Sequence, residues 1–144
     1  GADSIAAVGV AAHETGHALQ YANDYAPIRF RMKLVPITNF SATISPYLII
    51  AGLIAGLDVL AYAGIALFSL SVLFQLVTLP VEFNASARAV QALQASGSFT
   101  AEEMAGVRKV LTAAALTYVA ALFVSLMNLL RLILIVAGRS RRND

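Results

Sequence analysis

Ile54-Ala55-Gly56-Leu57-Asp58-Val59-Leu60 is a break of one charge between two apolar runs. Downstream, Val59 to Leu79 carries no charged residue. Upstream, the clean apolar core from Tyr47 to Leu57 is short, and a front holding Pro36, Asn39 and Pro46 extends it. A bilayer's hydrocarbon, about 30 Å thick, takes about 20 apolar residues of helix. The two runs therefore predict spans over 37–57, with an irregular start, and 59–79. A break this short predicts a tight hairpin turned by Gly56 and Asp58, the alternative being one long bent helix. A third run covers 110–137, closed by Gly138 and followed by Arg139, Arg141 and Arg142.

Composition agrees. Of 144 residues, 59% are hydrophobic and 12% charged, against roughly 25% charged in an average soluble domain. The expected fold is an all-α membrane protein, with one membrane-embedded domain over 1–144. A net charge of +2 is too small for a nucleic-acid footprint, and the basic residues sit in short clusters flanking apolar runs. Without cysteine, neither a disulfide framework nor a thiolate metal site exists. The chain opens at Gly1 with no signal-peptide pattern, which points to an N-terminal segment upstream of it.

Working outward, Ser4 to Tyr21 reads as an alanine-rich helix. Ser4 is the expected N-cap, and Asp3 suits the positive end of the helix dipole. Gln20 to Lys33 is polar and turn-prone, with Arg29, Arg31 and Lys33 marking a membrane flank. Pro80 fits the first turn of a new helix, about Val81 to Ala95, stopped by Ser96-Gly97-Ser98. Thr100 to Glu103 is a capping box opening the helix that becomes the third span.

The first helix carries His13-Glu14-Thr15-Gly16-His17, an H-E-x-x-H pattern using the chain's 2 histidines. Positions i and i+4 lie on one helix face, where one divalent ion can bridge both imidazoles. Glu14, on the flank of that face, is placed to take a proton from an attacking water. This is the pattern of zinc hydrolases, in which a third protein ligand completes the site and one position stays open. Gly16 reads either as room for the metal or substrate, or as a point of tight helix packing.

The third ligand must be Asp or Glu: Asp3, Asp24, Asp58, Glu82, Glu102, Glu103 or Asp144. Two crossings return the chain to its starting side, so Glu82 can meet His13 and His17. Asp58 and Asp144 fall on the far side, about 30 Å away. Asp24 is close in sequence, but the motif lacks the extension that metzincins use. Glu102 and Glu103 have a capping role. Glu82 is the expected ligand. Basic residues on the metal side favour a cytoplasmic site by the positive-inside rule, although the C-terminal arginines argue the other way.

Three stretches carry a family resemblance: Ala11-Ala12-His13-Glu14-Thr15-Gly16-His17-Ala18-Leu19-Gln20, then Thr78-Leu79-Pro80-Val81-Glu82-Phe83-Asn84-Ala85-Ser86-Ala87-Arg88-Ala89, then Ala113 to Ala121 with Thr117 and Tyr118. They resemble the YugP-type neutral zinc metallopeptidases of bacterial membranes, which look related to the Ste24/HtpX membrane peptidases. The resemblance implies a multi-pass protein of the bacterial inner membrane that binds Zn²⁺ and cleaves peptide or membrane-protein substrates. In the Ste24/HtpX group the third ligand is the Glu of E-x-x-A-D. Here Ser86 stands where that Asp would be, so Asn84 or Ser86 is left to orient a histidine.

The expected chemistry is that of an H-E-x-x-H, gluzincin-like hydrolase. His13, His17 and Glu82 hold zinc, and Glu14 moves the water proton to the leaving amine. Candidates for oxyanion stabilisation are Arg88, Tyr21, Tyr25 and Tyr118, with Tyr118 expected to be buried in the third span. The alternative is a catalytically inactive metal-binding scaffold or a subunit of a membrane complex. A chance motif in a small membrane protein is the third reading.

Overall fold

A computed structural model describes every residue from Gly1 to Asp144. Four helices account for nearly all of it: α1 (Ala2–Ala22), α2 (Ala26–Ala55), α3 (Asp58–Ser96) and α4 (Ala101–Asn143). The last three are long and apolar enough to cross a membrane, with 18-residue stretches of mean hydropathy 1.5, 2.0 and 2.4. Large apolar side chains such as Ile54, Phe123 and Leu134 stand exposed along them, as lipid-facing positions require.

The hairpin at Gly56 is present. Gly56 has φ 71, a left-handed conformation open to glycine without steric cost. The Leu57 amide donates to the Gly52 carbonyl at 2.9 Å, closing the end of α2. The break at Gly97 is of the same kind, with φ 66. The capping box is formed as read: the Thr100 amide donates to Glu103 Oε2 at 2.8 Å, and the Glu103 amide to Thr100 Oγ1 at 3.1 Å.

Several boundaries differ from the sequence reading. α1 begins at Ala2 with Gly1 at the N-cap, so Ser4 lies inside the first turn. The basic cluster from Arg29 to Lys33 is helical, and α2 runs unbroken through Pro36 and Pro46. α3 continues through Pro80 and carries Glu82 on the same helix as the second apolar run. Proline removes one hydrogen bond, whereas a full break in an apolar setting would strand several backbone groups. α4 likewise runs past Gly138 to Asn143. Its last turns are held by Arg139, which donates to the Leu53 carbonyl, and by Ser140, which donates to Asp58. Arg131 stands exposed within the third apolar run.

The chain divides into two compact units. One comprises Arg31–Leu76 and Ala120–Asp144. Its core is Ile49, Ala61, Ile65 and Val136. Gly52 and Gly64 let α2 and α3 meet backbone to backbone: a Cβ at Gly64 would lie 2.9 Å from both the Ile49 amide nitrogen and the Ser45 carbonyl oxygen. The other unit comprises Gly1–Phe30 and Val77–Val119. Ala12, Ala89, Val107 and Leu111 form its core, with Ile5, Val8, Val90 and Leu93 packed around them.

Candidate metal centre

On α1 the buried residues are Gly9, Ala12, Gly16 and Gln20, a stripe at helical spacing. On α3 the facing residues Val81, Glu82, Ala85 and Ala89 are buried. Gly16 sits directly on Ala85, and a Cβ there would fall inside the Ala85 carbonyl group. The glycine therefore serves close helix packing, the second of its two readings. That approach brings the side chains one turn before and one residue beyond Gly16, His13 and His17, onto Glu82.

The contact is intimate. His13 Nε2 lies 2.7 Å from Glu82 Oε2, and His17 Nε2 lies 3.5 Å from Glu82 Oε1. The two Nε2 atoms are 3.1 Å apart, with the rings edge to face. One ligand atom from each of His13, His17 and Glu82 falls within 4.8 Å of the others. Glu82 is only 3% exposed, and a carboxylate so far from water requires a cationic or hydrogen-bonding partner. Two imidazole nitrogens and one carboxylate oxygen around one point form the donor set of a zinc site with an open position. The residues fit the ion.

The remaining candidates are dispersed. Glu14 is exposed on α1, next to His13 in sequence. Ser86 Oγ lies 3.1 Å from His13 Nδ1. Asn84 and Arg88 do not face the metal ligands directly: Arg88 Nε donates to Asn84 Oδ1 at 2.7 Å, and its guanidinium lies 5.4 Å from the Tyr25 ring centroid. Tyr118 is 40% exposed on α4, contrary to the expected burial. The sequence reading missed Gln20. It is fully buried, contacts His17 Nδ1 at 2.9 Å, and donates to the Val81 carbonyl and to Asn84 Oδ1. The signal was a polar residue seven positions after His13, on the same helix stripe.

The sequence profile of the family described as putative neutral zinc metallopeptidases matches residues 1–137. The chain belongs to this family. Among curated relatives, it is 51% identical over 132 residues to the "putative membrane protease YugP" of Bacillus subtilis strain 168. The match covers 92% of this chain and 59% of the relative, so the chain spans about three-fifths of that protein's length. No solved structure matches it. Three helices long and apolar enough to cross a bilayer, together with a relative named as a membrane protease, make the chain a membrane protein.

Gly16 provides a direct test of how the His13, His17 and Glu82 cluster is assembled. A Gly16→Ala substitution is expected to push α1 off α3 at Ala85. The expected cost is at least the 1–3 kcal/mol typical of overpacking, because rigid backbone rather than a side chain must give way. Thermal unfolding and zinc titration should report a lower Tm together with weakened zinc binding. Unchanged zinc affinity would mean that the close helix approach is not what brings the histidines to Glu82.

Proposed function

We propose that this chain is the catalytic part of a membrane-bound, zinc-dependent endopeptidase. The observation that carries the reading is the convergence of His13, His17 and Glu82 on one point, with the exposed carboxylate of Glu14 one residue from His13. Zinc held there would supply Lewis acidity, polarising the scissile carbonyl and lowering the pKa of water toward ~7. Glu14 is uncommitted to any ion pair and can receive the proton of the attacking water, then deliver it to the departing amine. Glu82 and the two imidazoles hold fixed positions throughout, set by the Gly16–Ala85 contact.

An apolar groove of about 290 Å³ shares Ser86 with the cluster and is also lined by Phe83, Val90, Arg108, Leu111 and Thr112. On this reading it takes an apolar side chain of a peptide or membrane-protein substrate. The bilayer is the second partner, and the metal site lies on the cytoplasmic face of the bacterial inner membrane.

The test is metal removal. Detergent-purified protein should hydrolyse an unstructured peptide library, lose that activity on chelation and regain it with zinc. A folded, zinc-loaded protein without hydrolysis would instead support the metal-binding scaffold.

A further inference from the structure

We propose that Gln20 is a positioning residue that locks His17 in the Nδ1–H tautomer and keeps its Nε2 lone pair turned to the metal. The inference rests on the metal-site reading above and adds to it a group that touches neither metal nor substrate.

Arg88 Nε can only donate, so the Asn84 atom 2.7 Å away must be the acceptor Oδ1. The same Oδ1 is 3.1 Å from the Gln20 amide, which must therefore present its NH₂ group there. The NH₂ also donates to the Val81 carbonyl at 2.8 Å. Both Gln20 donors are thus directed at acceptors, and the amide cannot flip without setting its oxygen against two others. Its Oε1 is left facing His17 Nδ1 at 2.9 Å. An acceptor at that distance requires a donor, so Nδ1 carries the proton and Nε2 carries the lone pair. Gln20 is fully buried, where a mismatched pair would cost the most.

His13 is held differently. Its Nδ1 partner is the Ser86 hydroxyl at 3.1 Å, which can donate or accept by rotating. Its Nε2 lies 2.7 Å from Glu82 Oε2 and 3.1 Å from the His17 Nε2 lone pair. Before metal binding, His13 Nε2–H can therefore donate to Glu82 while Nδ1 accepts from Ser86. To ligate, His13 must move its proton to Nδ1, and Ser86 can reverse its hydrogen bond to suit. An aspartate at position 86 could only accept. The site thus combines one preset imidazole with one that switches.

The experiment is nitrogen-15 NMR of histidine-labelled, metal-free protein in detergent, with the histidines assigned through a His13→Gln variant, followed by zinc titration. Expected in the wild type is His17 protonated at Nδ1 and bare at Nε2. Gln20→Met, of similar length but without amide groups, should release that tautomer and weaken zinc binding 10–100-fold, as for removal of other groups that orient a metal-bound histidine. Asn84→Leu, which touches no histidine, removes one of the two acceptors of the Gln20 amide and leaves the Val81 carbonyl, so His17 should stay protonated at Nδ1 and zinc binding should weaken less than in Gln20→Met. A His17 bare at Nδ1 in the wild type overturns the proposal without any variant. A folded Gln20→Met protein with the wild-type tautomer and affinity does the same. Nδ1–H on His17 in a folded protein that takes up no zinc supports the tautomer lock and overturns the metal reading instead.

Discussion

A Glu14→Gln variant is expected to bind zinc as the parent does and to lose peptide hydrolysis by about 10²–10⁴-fold, the range that general acid–base catalysis contributes. Glu14 is exposed and takes no part in the buried contacts that assemble His13, His17 and Glu82. The substitution therefore removes a proton acceptor and leaves packing and ligand set alone. Surface substitutions away from special features change stability by about 0.5 kcal/mol or less, so Tm should stay within a degree or two. The measurement pairs zinc stoichiometry with kcat on one peptide. Retained zinc with lost kcat assigns Glu14 to proton transfer. Retained zinc and retained kcat would remove it from the mechanism and move the general base elsewhere.

The proximity of Glu82 to both histidines was legible because two independent constraints met on it. Composition forced the third ligand to be a carboxylate, and counting crossings left few carboxylates on the right side. The hairpin at Gly56 was legible because glycine and one charge between apolar runs have few other uses. The continuity of α3 through Pro80 was not. Proline's local effect is a helix break, and only the energy of stranding backbone groups in an apolar setting overrides it. Continuity past Gly138 was hidden for a related reason: it depends on Arg139 and Ser140 finding Leu53 and Asp58, more than eighty positions away. Gln20 was overlooked because a polar residue near a helix end looks solvated. Its burial comes from the approach of α3, which Gly16 permits and which a one-dimensional pattern does not encode. Ser86 was read as a loss relative to a carboxylate, yet a hydroxyl that both donates and accepts suits a histidine whose tautomer must change.

Glu82→Gln will abolish stoichiometric zinc binding while leaving the metal-free fold as stable as before, or more so. Glu82 has two roles in the site. As a ligand, Glu82 contributes the charge that two neutral imidazoles cannot, and its removal should cost more than the 10–100-fold seen for groups that only orient ligands. As a structural group it is a carboxylate at 3% exposure, and burying such a charge is unfavourable without compensation. Gln keeps the shape and still offers an oxygen to His13 Nε2, so the variant sheds the burial penalty without opening a cavity. Stability and function therefore pull in opposite directions at this position. The readout is Tm with and without zinc. A ligand at 100 times its Kd stabilises a fold by about 2.7 kcal/mol, so the wild type should gain several degrees on zinc addition, and Glu82→Gln should gain none. A variant that still gains the wild-type increment would exclude Glu82 from the ligand set and return Asp24, Glu102 and Glu103 to consideration. A variant that melts far below the metal-free wild type would mean that Glu82 is held for the packing of α1 on α3, with the histidines as its permanent partners rather than its co-ligands.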